Sequence, residues 1–436
     1  MKSCCATTLF TRKKVKSNPR AISDMTRFKL HNPIIIALVF LAVYSDAIAQ
    51  QGIRVKRAEA AYNAYAYPLA IQRFEGISKK NTDHLRMLAM SYAKTGNSVE
   101  AERVFFELIE AGSSNPEDYF HFAEALLSNK KYDAYQTQMA KYDALVKNDN
   151  RAKEALSKPE IQATLWKDQK SYVIQNLEMN SSEDDFAPFF YGDAIGFATS
   201  NTGAQAFRKL YSWNERAFLD LYYAEQNASG QLVKSKPIDL DINSKLHEAS
   251  AALSPDGSLF YFTRNNSAED KPVFGNTGVN NLHLFYCKKL GDSWSEALAV
   301  GFNSNTYSVG HPAFSSDGIT LYFSSDMPGG IGGVDLWKAT INTDGTLSNP
   351  ENLGATINTL GNEMFPFVDA DNNLYFVSDG HVGLGMLDMF KSSNTTGEPQ
   401  NLAWPMNSPK DDFGLIVDVA KKTRIFQLEP RWWEGQ

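Results

Sequence analysis

Cysteine is nearly absent from this chain. Cys4 and Cys5 sit at the extreme N-terminus and only Cys287 lies beyond it. Once that terminus is removed no disulfide can form within the chain, and no cysteine follows the terminus to accept a lipid. A Gly-x-Ser-x-Gly nucleophile elbow with a downstream histidine is also missing, which removes the usual serine-hydrolase arrangement. The seven histidines (His31, His84, His121, His247, His283, His311 and His381) form no metal-type pair at helical spacing. No cofactor, no metal and no catalysis are expected. Nor is there an apolar run of membrane-spanning length, since the stretch Pro33–Val43 holds about a dozen residues. Positive charge is scarce outside the leader: without residues 1–49 (eight Lys or Arg, two Asp or Glu) the net charge of -7 becomes -13. Such a chain has no electrostatic reason to seek nucleic acid.

The apolar stretch has its own meaning. Arg27 and Lys29 precede it and Ala47-Ile48-Ala49 follows, with small residues where a signal peptidase reads. Residues 1–49 are therefore expected to be a secretory signal peptide with an N-terminal extension, Met25 being a natural start for a compact signal. The expected location is periplasmic or outer-membrane-associated.

Residues 54–145 are rich in Ala, Glu, Lys and Leu at helical spacing. Leu85, Leu88, Ala89 and Tyr92 reappear 34 residues later as Tyr119, Phe122, Ala123 and Leu126, and Phe105 as Met139. An earlier partial unit aligns Ala70 and Phe74 with Ala101 and Phe105. The period resembles the tetratricopeptide repeat, whose stacked helix pairs form a concave docking surface; a packed spacer is the alternative. Residues 146–169 read as a helix or linker.

From residue 170 to 423 a different unit recurs roughly every 50 to 60 residues. It opens with a turn, at Tyr191-Gly192-Asp193, Pro255-Asp256-Gly257, Ser316-Asp317-Gly318 and Ala370-Asp371-Asn372. Asp-Gly supplies the positive φ of a hairpin. An aromatic strand follows (Phe197, Tyr261, Tyr322, Tyr375), then Asp or His with an aliphatic and an aromatic: Asp220-Leu221-Tyr222, His283-Leu284-Phe285, Asp335-Leu336-Trp337 and Asp388-Met389-Phe390. Asn-Ser/Thr closes each unit at Asn243, Asn303, Asn358 and Asn407, and Asn180-Ser181 ends an orphan tail. Four ordered recurrences predict a β-propeller of about five blades, the last incomplete, with residues 170–181 as a ring-closing strand. The fold class is thus α+β multidomain, helical repeats before the propeller. The repeated Asp, Gly, Tyr, Trp and Phe positions are read as structural, and the Gly329–Gly333 run as a strand-to-strand turn because Lys-Ser/Thr and a helix are missing after it. The fifth unit opens at Asp411–Asp418 and then loses the repeat, so residues 424–436 are expected to be an aberrant tail from a frameshift, which sequencing the gene checks.

Signal, helical repeats and Pro-Asp-Gly turns together resemble the OmpA-family envelope proteins of Bacteroidetes that combine such repeats with a WD-like propeller, the PorE-like component of the type IX secretion system among them. The resemblance covers about residues 25–418, and Ser324–Trp337 carries its most specific part. It implies a non-catalytic scaffold whose partners are other envelope proteins, including peptidoglycan-associated ones, with an indirect link to the outer membrane. Members continue into a peptidoglycan-binding domain that is not found here, so the chain reads as truncated. The rival expectations are a glycan-binding or hydrolytic propeller acting through its central pocket, and a non-functional fragment.

Overall fold

In the computed structural model, residues 51–436 are described except 148, 168–173, 175, 202–209, 228–230, 239, 241, 270, 419–422 and 429–436. The signal expected over residues 1–49 lies outside them. The chain divides into Met1–Lys56 and Arg57–Gln436. In the first unit only 51–56 are described, and they are helical; all that follows concerns the second.

The second unit opens with helix α1 (57–63). Then come α2 (Tyr67–Glu75), α3 (Thr82–Lys94), α4 (Ser98–Glu110), α5 (Pro116–Ser128), α6 (Tyr132–Leu145), α7 (Asn150–Ser157) and α8 (Ile161–Leu165). Asparagine side chains start three of them: Asn81, Asn97 and Asn115 each accept from a backbone N–H of the first turn, which that turn cannot satisfy itself. Pro68 stands at the start of α2, where its missing N–H costs nothing. Ala70, Ala89, Ala101 and Ala123 are wholly buried, so paired helices approach closely there. Residues 150–157 and 161–165, within the segment expected to be a helix or linker, are two further helices.

Four antiparallel blades follow. Blade one is β1 (Asp185–Tyr191), β2 (Ala194–Thr199), β3 (Asp220–Gln226) and β4 (Leu232–Pro237). Blade two is β5 (Glu248–Leu253), β6 (Leu259–Asn265) and β9 (Leu282–Leu290), edged by β10 (Ser293–Trp294) and β11 (Leu298–Ala299). A side hairpin, β7 (Ser267–Ala268) and β8 (Lys271–Pro272), interrupts it. Blade three is β12 (Val309–Phe314), β13 (Thr320–Ser325), β14 (Asp335–Thr340) and β15 (Glu351–Asn352). Blade four is β16 (Glu363–Val368), β17 (Leu374–Ser378), β18 (Asp388–Ser392) and β19 (Gln400–Asn401). A fifth blade holds β20 (Asp412–Asp418) and β21 (Thr423–Leu428).

The first strands meet in a ring: β1 contacts β5, β5 contacts β12, β12 contacts β16, β16 contacts β20, and β20 returns to β1. An apolar core fills each gap between neighbouring blades. Burying these faces is the main force that closes the ring.

Two expectations fall partly on described residues. Residues 424–428 pair with β20 as a strand, because Arg424-Ile425-Phe426-Gln427-Leu428 keeps β-forming residues although the repeat's signature is gone. Of the ring-closing strand, 170–173 and 175 lie outside the described residues, and 176–181 form a turn with Asn180 N–H bonded to Leu177 O. Closure is achieved by packing Leu177, Met179 and Ile416 on Ile195 and Phe197.

Register also moves one assignment. Tyr261 faces Ala252, Tyr322 faces Ala313 and Tyr375 faces Phe367 on the first strand of their blades. The matching pair in blade one is Phe189 with Gly196. Phe197 instead matches Phe262, Phe323 and Phe376, each opposite the aromatic of the third strand. A Cβ on Gly196 would lie 2.2 Å from the Phe189 ring, so Phe189 occupies the space that tyrosine takes elsewhere.

Candidate functional site

A channel of about 870 Å³ runs between the five first strands. Its wall is built by one recurring irregularity. Every first strand carries a bulge two residues in, and the bulged residue has positive φ: Ala187, Ser250, His311, Phe365 and Gly414. A bulge inserts one extra residue and bends the strand, which here turns all five strands around the channel. Glycine adopts such a φ freely, yet only Gly414 uses it, and a left-handed L-residue costs roughly 1–2 kcal/mol. His311 (φ 52°) and Phe365 (φ 49°) carry that cost with bulky rings. The rings stack at 3.9 Å, Phe365 continues to Phe413 at 5.1 Å, and Phe413 to Phe186 at 5.7 Å. Pro188, Pro312 and Pro366 add apolar surface. His311 is held near neutrality's acid side, at about 4, because burial disfavours its cation, and its Nδ1 has no partner. The ring is therefore uncharged at neutral pH.

The acids of the repeat point elsewhere. Two positions before the bulge stand Asp185, Glu248, Glu363 and Asp412, with Val309 in blade three. Each acid receives the backbone N–H of the Ser or Thr that ends the previous unit: Ser181, Ser244, Thr359 and Ser408. Glu363 also accepts from the Thr359 and Ser378 hydroxyls, and Glu248 from Arg264. Burial pushes Glu248 and Glu363 up to about 7 and Asp412 well above the usual carboxylate range, against those bonds. The asparagines beside these residues act as clamps. Asn243, Asn303, Asn358 and Asn407 each accept from, and donate to, the main chain of one third-strand residue, respectively Leu221, Leu284, Leu336 and Met389.

The residues singled out in the sequence fall into three places. Asp256, Gly257, Asp317 and Gly318 form turns at one rim of the channel, with Gly257 N–H bonded to Ser254 O and Gly318 N–H to Ser315 O. Hydroxyls of Ser254 and Ser315 hold Asp256 and Asp317 below the ordinary carboxylate range. Tyr261 and Tyr375 spend their hydroxyls on Gly345 O and Asp369, while Tyr322 packs between blades three and four. Asp335 accepts from Ile331 and Gly332 N–H, Asp388 from Leu384 and Gly385 N–H, Trp337 donates to Ser325 O, and Phe390 packs in the same core as Tyr322. Gly332 is needed there, since a Cβ would lie 2.2 Å from Thr359 O. None of these positions other than the rim turns reaches the channel. The wall residues went unremarked in the sequence, but the acids had a signal: each lies four residues after the Ser or Thr of the closing pair.

The strand order and the closed ring make this chain a β-propeller preceded by helical repeats. No known protein family and no curated protein matches it. Among solved structures it is similar to a putative TolB from Agrobacterium tumefaciens, at 13% identity over 56% of this chain and 90% of that one, TM-score 0.30. It is similar to puromycin hydrolase at 13% identity over 57% of this chain, TM-score 0.32, and spans 47% of that enzyme's length. The helices give a likeness to YrrB, a TPR protein with an unusual peptide-binding site, at 16% identity over 34% of this chain and 83% of that one, TM-score 0.22.

Among the described residues the helices and the propeller touch through several polar and aromatic contacts. Trp213 donates to Lys94 O and stands between Tyr65 and Tyr67. Lys410 donates to Ser98 Oγ at 2.6 Å. Trp404 N–H bonds Leu165 O, and its ring lies 4.9 Å from Trp166.

Proposed function

We propose that this chain is a non-catalytic binding scaffold of the cell envelope, whose propeller channel takes a peptide segment of another envelope protein. The observation that carries this is the contrast within the channel: the bulged middle of its wall is apolar and aromatic, Asp256, Asp317, Asp369 and Asp418 line it towards one rim with the first three bonded to Ser254, Ser315 and Tyr375 hydroxyls, and the repeated buried acids are bonded into the junctions between blades. A carboxylate that works as acid, base or nucleophile must face the reacting atoms, and Glu363 and Asp412 face Thr359 and Ser408. A channel with an apolar middle and polar groups gathered towards its rim suits the side chains and backbone of a peptide. Aromatic rings from several blades also favour a sugar ligand, but His311 and Phe365 cover one another's faces and Ser250 Oγ is engaged with Thr263. The link to the outer membrane, and to peptidoglycan-associated proteins, would run through the bound partner.

The test is retention of envelope proteins from an extract by the purified chain, beside a His311→Ala/Phe365→Ala variant with unchanged circular dichroism. The expected result is a retained protein that the variant loses. Recovery of no protein, together with tight channel-dependent binding of a small glycan, would overturn the reading.

A further inference from the structure

Among the described residues the channel has one mouth. Its lining runs in each blade from the bulged residue towards the first hairpin turn, and no described residue ahead of a bulge reaches it. Phe186 and Phe413, which immediately precede bulges, lie outside that lining and join the stack of His311 and Phe365. Rings from four of the five blades thus form a floor, and His311 lines it with its Nδ1 unpartnered. The mouth lies at the other end, among the hairpin turns between first and second strands. The helices contact the propeller on the floor side. Trp213 lies in the link from β2 to β3, and Trp404 and Lys410 in the link from β19 to β20, both at strand ends away from those turns. These contacts leave the mouth uncovered.

The mouth carries charge of one sign. Asp256, Asp317, Asp369 and Asp418 line it, and no described Lys or Arg does. Lys421 and Lys422 stand in the link 419–422, outside the described residues; counting both, four acids against two lysines still leave a formal charge of -2. Asp256 and Asp317 are exposed, and serine hydroxyls and backbone N–H groups hold both below the ordinary carboxylate range, so both are anions at neutral pH. Their described partners are those hydroxyls and N–H groups, with no cation among them. A Cβ on Gly318 would lie 3.2 Å from Pro255, so the two turns abut and their carboxylates share one patch. Charges of one sign over a low-dielectric wall focus their field on what approaches. The apolar floor disfavours a bare cation, which loses its water there. A cation is therefore favoured at the mouth and apolar groups below it. We propose, building on the channel as a peptide site, that its occupant is a basic peptide, with apolar side chains on the aromatic floor and Lys or Arg beside Asp256 and Asp317.

The experiment offers the full chain two labelled mixtures of short peptides with the same apolar centre, flanked by Lys and Arg in the first and by Asp and Glu in the second, and follows anisotropy. The first should bind about tenfold more tightly at low salt, and raising NaCl from about 50 to about 500 mM should erode most of that preference, since the charges at the mouth are exposed. Asp256→Asn/Asp317→Asn keeps an acceptor oxygen for the serines. It should weaken binding of the first mixture about fivefold, the worth of two exposed ion pairs, without weakening the second. The salt series needs no variant, so a misfolded one would not stall the test. Equal or reversed preference, or binding of the first mixture indifferent to salt and to the double variant, would overturn the basic occupant and leave the channel as a peptide site. Binding that survives His311→Ala/Phe365→Ala would lie elsewhere and remove the channel reading as well. No binding of the first mixture at millimolar peptide would also overturn the proposal.

Discussion

Buried carboxyls set the pH response of this molecule residue by residue. Burial holds Glu248, Glu363 and Asp388 at about 7, against about 4 in an unfolded chain. Between those values the folded state binds more protons than the unfolded one. Their contribution to stability is therefore complete below about pH 4 and is lost as pH rises through about 7. Below about pH 6.5 the buried His247 and His311, lowered to about 4, oppose this trend, so melting should fall by several degrees between about pH 6.5 and pH 8, and Glu363→Gln, which keeps the shape but cannot ionise, should flatten part of that slope. A melting temperature that rises across the window would contradict this account. Asp256 and Asp317, lowered by serine hydroxyls and backbone N–H groups, act only at more acid pH and leave the window clear.

The clamp is also a matter of single residues. Asn358 bonds Leu336 N–H, Leu336 C=O and Asn352, and is 1% exposed. Asn358→Ala should cost about 2–4 kcal/mol in denaturant unfolding, because both backbone groups of a buried leucine lose their partner. A cost under about 0.5 kcal/mol would mean that water replaces the clamp.

At the scale of the element, blade one departs from its siblings by one exchange. Phe189 and Gly196 stand where Ala252 and Tyr261, or Ala313 and Tyr322, stand in blades two and three. Gly196→Tyr alone should destabilise strongly, since the added Cβ meets the Phe189 ring. Phe189→Ala alone should cost about 3–5 kcal/mol as a core truncation. The double variant should recover much of both losses, a coupling that a double-mutant cycle measures. Strict additivity would show that the two positions are not equivalent to the Ala–Tyr pairs.

For the whole molecule, the aromatic anchors decide whether helices and propeller behave as one body. Trp213 and Trp404 join them with Lys410. Trp213→Ala/Trp404→Ala should enlarge the radius of gyration in X-ray scattering and split one melting transition into two. One unchanged transition would place the coupling in other contacts.

The sequence by itself determined the order of modules, the 34-residue helical period, the turn chemistry of Asp256-Gly257 and Asp317-Gly318, and the recurrence that makes a propeller. These are local properties: they follow from backbone preferences and from the spacing of apolar residues along a few turns or strands. Only tertiary structure decided the rest. The bulges that put His311 and Phe365 into the channel leave no mark on composition, because positive φ at a non-glycine residue is imposed by neighbouring strands. The alignment of Phe197 failed for the same reason, since the partner across the sheet fixes register, and aromatics one position apart look alike in a chain read alone. The division of the acids between turn and junction depends on contacts between residues of different blades, which only ring closure brings together.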